Sequence, residues 1–373
     1  MLIKTSFFKE CCNKILNAID NSELSTLNET LELKTHFKTL YLNVTNKEYY
    51  ASVKFNLEHE EKFHATVNAH LFLKLISQLT TEFIELTCHD TYVNVKGNGN
   101  YKIPLVFENE NLIELTPIVI ENPTVEMDVD GNILQSILQY NSKELAKGSF
   151  ARPVQKMFYV DQQGCITFTS GACVNDFTLE KPIRILLDTK LVKLFKLLKN
   201  ERVKFVLGYD PLADSIIQTK VKFETENIVL TAILSCDNTL LNSVPVDLIR
   251  NSANYAYPYS IVLSKGLLSQ ALNRLLIFSN KNVKTYGQFD FKNGFMTLTS
   301  LNSENVEELN YESGSGIVGQ DYSMILDLDN FKTILDGCAE QYVTLNFGES
   351  RSCVLVRNNI KNVIPLVMHK EKL

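Results

Sequence analysis

Residues 183–208, IRILLDTKLVKLFKLLKNERVKFVLG, pass from an apolar run through Asp188 into a lysine-and-leucine stretch and out into an alternating run. Apolar residues three and four apart describe a helix face, and strict alternation describes a strand with one face buried. Asp188 is of the type that accepts the first free N–H groups of a helix. The stretch therefore predicts strand, helix, strand. The same reading fits 64–88, HATVNAHLFLKLISQLTTEFIELTC, and 322–347, YSMILDLDNFKTILDGCAEQYVTLNF, with caps at Asn68 and Asp327. The outgoing strands alternate as Ile84, Leu86, Cys88; Val203, Phe205, Leu207; and Val343, Leu345, Phe347. A lysine stands mid-helix each time (Lys74, Lys193, Lys332), and a glutamate follows eight residues later (Glu82, Glu201, Glu340). Any α/β chain alternates such elements. Matching order, length and landmarks three times points to an internal repeat.

A second helical pattern precedes each unit, at 5–22, 131–147 and 264–281. Short alternating runs with turn residues lie between, such as KTLYLNVTNKEYYASVKFNL and KMFYVDQQGCITFTS, and these predict antiparallel hairpins. Pro, Asn and Ser interrupt the patterning near 115–127 and 248–260. The expected fold is α+β: three similar domains, 1–120, 121–250 and 251–373, each two helices packed on mainly antiparallel sheets. Three domains suit a chain of 373 residues.

Composition narrows the function. With 45% hydrophobic and 21% charged residues the chain is neither disordered nor fibrous. Its net charge of -6 argues against a uniformly basic coat for nucleic acid, though not against a locally basic surface. The six helical windows hold thirteen Lys/Arg against seven Asp/Glu, which leaves the remainder strongly acidic. Lys190, Lys193, Lys196 and Lys199 stand three apart and form the most basic helix, a pattern that a merely solvated face also shows. The 327–338 helix, with Asp327, Asp329 and Asp336, is instead acidic. Eight scattered cysteines without a CxxC read as small buried hydrophobes in a reducing compartment. The opening MLIKTSFFKECCNK lacks the apolar core of a secretory leader, and no apolar run approaches the length of a membrane span. A cytoplasmic protein is expected.

Two motif matches are weak. Gly314–Gly319 spells GxGxxG, but a strand-like run follows where a dinucleotide site needs a helix. His59 and His64 flank two glutamates at a spacing of five, which rotates them off a common helical face. No GxSxG elbow or placed histidine suggests a triad. No catalytic residue, metal or cofactor is expected.

The set of stretches ATVNAHLFLKLISQL, SFARPVQKMFY with its Arg152–Pro153–Val154 step, LLSQALNRLLIFSNKN and NVIPLVM, taken in order, resembles the bacterial DNA polymerase III β subunit, the sliding-clamp family, over essentially the whole chain. The resemblance implies the DNA clamp fold: each chain forms half of a ring, and two chains join head to tail around duplex DNA without reading its sequence. It implies a processivity factor with no catalytic site of its own. The polymerase III catalytic subunit and the clamp loader would dock on it through short hydrophobic peptides. DNA would face Lys9, Lys14, Lys74, Lys143, Lys147, Arg152, Lys190, Lys193, Lys196, Lys199, Lys265 and Arg274. The peptide pocket would comprise Thr169, Ser170, Ala172, Cys173, Val174 and Leu240, with Asn330, Phe331, Arg351, Cys353, Val363, Ile364, Pro365 and Leu366 opposite. Tyr101 and Ile103 on one edge, and Ile277 and Phe278 on the other, would meet at the dimer interface.

The chain departs from the family at three places. Thr169–Asn175 lacks the usual Asp-Gly-aromatic/His-Arg-Leu run, and Ser235–Leu240 lacks the usual aromatic and proline. The tail His369–Leu373 extends beyond the usual end, where it would overhang the pocket. These differences leave open a diverged paralogue with altered partners. An enzyme on a three-domain scaffold is the remaining alternative, because fold does not dictate function.

Overall fold

The computed structural model describes the chain except residues 20–24, 47, 147–149, 210–216, 237, 280–282, 293, 304, 314–320 and 368–373. One order of elements occurs three times. The first copy runs β1 (Leu2–Lys4), α1 (Thr5–Leu16), β2 (Thr30–His36), β3 (Thr39–Thr45), β4 (Tyr49–Asn56), β5 (His64–Asn68), α2 (Ala69–Gln78), β6 (Phe83–Cys88), β7 (Tyr92–Lys96) and β8 (Asn100–Pro104). A small hairpin follows, β9 (Phe107–Glu108) with β10 (Asn111–Leu112).

The second copy is β11 (Pro123–Asp130), α3 (Gly131–Tyr140), β12 (Phe158–Asp161), β13 (Gly164–Phe168), β14 (Ala172–Asp176), β15 (Arg184–Leu187), α4 (Thr189–Lys193), β16 (Arg202–Tyr209), β17 (Ile217–Glu224) and β18 (Ile228–Cys236). Two short helices then intervene, α5 (Asn238–Asn242) and α6 (Val246–Ala253). The third copy is β19 (Tyr259–Ser264), α7 (Lys265–Leu276), β20 (Tyr286–Lys292), β21 (Phe295–Ser300), β22 (Val306–Asn310), the two-residue β23 (Glu312–Ser313), β24 (Tyr322–Asp327), α8 (Leu328–Asp336), β25 (Tyr342–Phe347), β26 (Ser352–Arg357) and β27 (Ile360–Pro365).

Pairing repeats with the elements. Four strands pair in the order β1-β6-β7-β8, then β11-β16-β17-β18, then β19-β25-β26-β27. The other four pair as β5-β2-β3-β4, β15-β12-β13-β14 and β24-β20-β21-β22. Every ladder is antiparallel. One backbone bond is also repeated: the N–H that opens the first helix donates to the carbonyl just before the strand after the second. Its three instances are Thr5 to Glu82, Gly131 to Glu201 and Lys265 to Gln341, each 2.9 Å.

Two further ladders join the copies. β4 pairs with β18, making an eight-stranded sheet, and β14 pairs with β27 within a nine-stranded sheet. The chain accordingly divides into two compact units, Met1–Gln135 with Lys190–Asp237, and Ser136–Thr189 with Asn238–Leu373. The second copy contributes strands to both, because each of its sheets is hydrogen-bonded to a different neighbour.

The caps expected at Asn68 and Asp327 are present: their side chains accept from the N–H of Leu71 and of Asn330, 3.0 Å each. A fully buried phenylalanine stands on the second helical segment of each copy (Phe72, Phe195, Phe331). Phe72 meets Phe8 edge-on, Phe195 meets Phe223, and Phe331 meets Phe289, with ring centroids 6.3, 5.0 and 5.5 Å apart. Burying one such side chain contributes about 2–3 kcal/mol.

The first helices end earlier than their patterns predict, at Leu16, Tyr140 and Leu276. The lysine-rich helix also differs. It is α-helical only over Thr189–Lys193 and tightens to 3₁₀ over Leu194–Leu198, and Asn200 closes it at φ +62°. Its burial repeats every third residue, two apolar side chains inside and one lysine outside. A 3₁₀ helix has three residues per turn and aligns such a pattern on one line, whereas an α-helix would rotate it out of register.

Two glycines in the first turn of a copy's first helix differ sharply in their surroundings. A Cβ on Gly131 would lie 1.8 Å from the Leu198 carbonyl oxygen, whereas one on Gly266, in the first turn of α7, meets nothing within 4 Å. Gly131→Ala should therefore cost about 2–4 kcal/mol, and Gly266→Ala should be neutral or stabilise by up to about 1 kcal/mol. Thermal unfolding of the two variants against the parent measures both.

Candidate functional site

A cleft of about 310 Å³ lies in the second compact unit, between the β13–β14 turn, α6 and the strands β26 and β27. The turn is tight, with the Thr169 N–H donating to the Gly171 carbonyl at 2.8 Å. Gly171 lies so close to β27 that a Cβ there would stand 2.6 Å from the Val363 carbonyl oxygen. Only a residue without a side chain lets the turn reach that strand, and the ladder begins at the next residue, Ala172 opposite Val363. Opposite, α6 buries Ile249 and Ala253 and leaves Leu248 68% exposed beside the cleft. The largely buried Arg250–Asp161 ion pair at 2.6 Å ties the helix to β12. The Tyr257 hydroxyl lies 3.0 Å from Ser352 Oγ, which fixes the following segment to β26.

Beneath the turn lies a buried polar cluster. Asn141, in the 3₁₀ turn Asn141–Glu144, donates to the carbonyls of Cys165 and Cys173 at 3.3 and 3.2 Å. Arg357, also buried, donates to Asn362 Oδ1 at 2.8 Å and to Cys338 Sγ at 3.1 Å, and lies over the Tyr140 ring. Glu144 is buried, with the Thr169 hydroxyl 3.5 Å from one carboxyl oxygen and no hydrogen-bond partner on the other. Burial raises its carboxyl from the ordinary 4.5 to about 7, against the opposing pull of Thr169 and Arg357. Loss of solvent thus outweighs the partners, and the neutral acid is favoured up to about pH 7.

Of the expected pocket residues, Thr169, Ser170, Ala172, Arg351, Val363 and Pro365 line this cleft together. Cys173 and Val174 are buried within β14. Phe331, Cys353 and Ile364 belong to the apolar core of the third copy, and Leu366 packs against that core. The Asn330 N–H is held by the Asp327 cap, and Leu240 lies half-buried on α5. None of these eight lines the cleft, because alternation along a strand sends neighbours to opposite faces and Phe331 is the buried side of its helix. Pro245, just before α6, and the α6 residues Leu248, Ile249 and Ser252 do line it, although the last three fall in the stretch 248–260 where the sequence patterning is interrupted. Val246, Ile249 and Ala253, at helical spacing across the start of that stretch, are the signal that marks the helix.

The expected DNA-facing side chains fall into two groups. Lys74, Lys143, Arg152, Lys193, Lys196 and Lys199 are exposed, and Lys265 is half-buried. Lys14 pairs with Glu10 at 3.1 Å, Lys190 with Glu48 at 3.0 Å, and Arg274 grips Glu307 through two bonds of 2.6 Å; Lys9 donates to the Ser77 carbonyl. Lys147 lies outside the described residues. On the expected interface, Ile277 and Phe278 are exposed at the end of α7, whereas on β8 Tyr101 is partly exposed and Ile103 buried.

The GxGxxG match, the tail His369–Leu373 and Asp237 of the Ser235–Leu240 segment also lie outside the described residues. His64 sits on β5 with its Nε2 3.0 Å from the buried Glu32 carboxylate, and His59 is in the preceding loop. Among the described cysteines five are buried, Cys11 is half-buried, and Cys88 is exposed, contrary to the expectation of uniform burial. Cys88 ends an edge-of-core strand whose last two positions face solvent. Among the described residues no helix is long and apolar enough to cross a membrane.

No protein-family model and no curated protein matches this chain. Solved structures do. A DnaN sliding clamp (DNA polymerase III subunit beta) from Pseudomonas aeruginosa, bound to griselimycin, superposes with a TM-score of 0.81 at 13% identity, covering 99% of both chains. The sliding clamp of Bacillus subtilis gives 0.78 at 12% identity over 99% of this chain and 98% of its own. The DNA polymerase III β subunit of Thermotoga maritima gives 0.77 at 14% identity over 99% of both. The chain has the sliding-clamp fold over its whole length, as the sequence resemblance implies.

Glu144 makes stability depend on pH. Its carboxyl titrates higher in the folded chain than in the unfolded one, so its contribution is complete below about pH 4.5 and declines as pH rises through about 7. The loss should reach about 2–3 kcal/mol. Glu144→Gln should flatten the dependence between pH 5 and 8 and raise the urea midpoint at pH 8.

Proposed function

We propose that this protein is a DNA sliding clamp: a head-to-tail homodimer of three-domain chains that encircles duplex DNA in the cytoplasm and tethers a replicative polymerase. The domains would be those expected from sequence, 1–120, 121–250 and 251–373. The observation that carries the reading is an unfinished series of sheet edges. The last strand of the hairpin sheet in copy one, β4, joins the last strand of the other sheet in copy two, β18; β14 joins β27 in the same way. Applied once more, the rule asks β22 of copy three to join the equivalent of β8 from copy one. Among the described residues β8 pairs in its sheet with β7 alone, and β22 with β21 alone.

A strand with open N–H and C=O groups is a template for another chain. Here each chain presents one edge of each kind, and two such joints close a ring of six modules. Ile277 and Phe278, exposed beside the β22 edge, would supply the apolar part of that joint. Repeated use of one joint also supplies the even rotation that a closed head-to-tail assembly needs.

The exposed Lys74, Lys193, Lys196 and Lys199 suit contact with phosphates, which positions DNA without reading bases. The acidic remainder of the chain resists nonspecific association elsewhere. In this reading the protein has no reaction to catalyse; processivity follows from topology. The cleft beside α6 would receive short hydrophobic peptides from the polymerase catalytic subunit and the clamp loader. The atypical Thr169–Asn175 turn supports a second, narrower version, a clamp whose partner peptides differ from the common consensus.

Solution mass is the direct test of assembly. Twice the 42.4 kDa chain is expected, falling to one chain in Ile277→Glu/Phe278→Lys. A monomeric parent at high concentration would refute the ring. With a loader present, the parent should lengthen polymerase products on a long primed template, and the double variant should not.

A further inference from the structure

We propose that the cleft beside α6 selects peptides that carry a carboxylate among their apolar side chains, and that Arg351 is the residue that reads it. The inference rests on the assignment of this cleft to partner peptides and specifies their chemistry.

The lining is apolar at Phe168, Leu248, Ile249, Val363 and Pro365, and hydroxyl-bearing at Thr169, Ser170, Ser252 and Ser352. Arg351 is the one charged side chain among the described lining residues. It is exposed, and no ion pair or side-chain hydrogen bond holds its guanidinium among the described residues; only its backbone carbonyl is engaged, by the Leu366 N–H at 2.9 Å.

Two neighbouring cations are already matched. Arg250 is bound to Asp161 at 2.6 Å, and Lys361 to Asp176 at 2.9 Å. The nearby acids Asp247 on α6 and Glu349 before β26 are exposed, and neither lines the cleft. The cleft thus presents one unmatched positive fork on an otherwise neutral wall. A guanidinium binds carboxylate through two parallel N–H bonds, a geometry that lysine cannot reproduce. An apolar groove gains affinity from buried anchors, while a charge on its rim chooses among ligands of equal hydrophobicity.

The occupant is therefore an extended segment with apolar anchors and one acid, either a side chain or the peptide's own terminus. The test uses the full-length protein and fluorescein-labelled heptapeptides of leucine, phenylalanine and serine. They differ at one central position, glutamate, glutamine or lysine, and each is made with a free and an amidated C-terminus. Anisotropy titration at low and moderate salt should rank glutamate above glutamine by about 5–20-fold, with lysine weakest. The gap should narrow with salt. If the terminus is the acid that is read, only the free-ended peptides gain.

Arg351→Glu should reverse the ranking and place lysine first, with circular dichroism unchanged because the side chain is exposed. Equal affinity for all three central residues and both termini would overturn the role of Arg351. The cleft assignment would then survive only if Leu248→Asp weakens every peptide. Absence of binding by every peptide, with the protein folded, would remove the cleft assignment and this proposal together.

Discussion

Backbone hydrogen bonding along two ladders, β4 with β18 and β14 with β27, welds the three copies into shared sheets. A four-stranded sheet on its own leaves two rows of unpaired N–H and C=O groups, and such edges are costly when dry and adhesive when wet. Joining copies edge to edge satisfies one row at each joint and makes the copies members of longer sheets. The same device explains why compactness divides the chain into two units although its elements repeat three times. The sheets of the second copy belong to different ladders, so its contacts are shared out.

The cleft is a by-product of the second joint. To start the β14–β27 ladder at Ala172 and Val363, the preceding turn has to lie against β27, and Gly171 makes that approach sterically possible. The intervening helix α6 is then pinned by Arg250 and Asp161 beside the joint, which leaves an apolar recess with a single cation on its wall. Glu144 and Arg357 lie beneath it in surroundings with too little water to favour a bare carboxylate. The recess therefore sits on a buried polar floor in which Asn141 Oδ1, Glu144 Oε1, Arg357 Nε and Asn362 Nδ2 have no hydrogen-bond partner among the described residues.

Much of the fold was legible from local pattern. The caps at Asn68 and Asp327, the alternating strands and the repeated glutamates each mark an element through residues close in the chain. The site was less legible. The pocket expected at 169–175 and 351–366 mixed lining positions such as Ala172 and Val363 with core positions such as Cys173 and Ile364. A two-residue period cannot say which face of a strand buried on both sides meets the cleft. The basic helices showed a similar limit. Lys190 and Arg274 look free in the sequence, yet Glu48 and Glu307, distant in the chain, neutralise them.

Local sequence accounts for the three strand–helix–strand modules, the caps at Asn68 and Asp327, the three-residue rhythm that suits Leu194–Leu198 to a 3₁₀ turn, and the excess of positive charge on the helices. Those features depend on side chains within one or two turns of each other, where propensity and spacing act directly. Tertiary structure alone decided which sheet edges meet, which lysines keep their charge exposed, and that α6 rather than α5 walls the cleft. Each of these is settled by groups remote in the chain competing for the same hydrogen bonds, ion pairs and buried area, and no local pattern records the outcome of that competition.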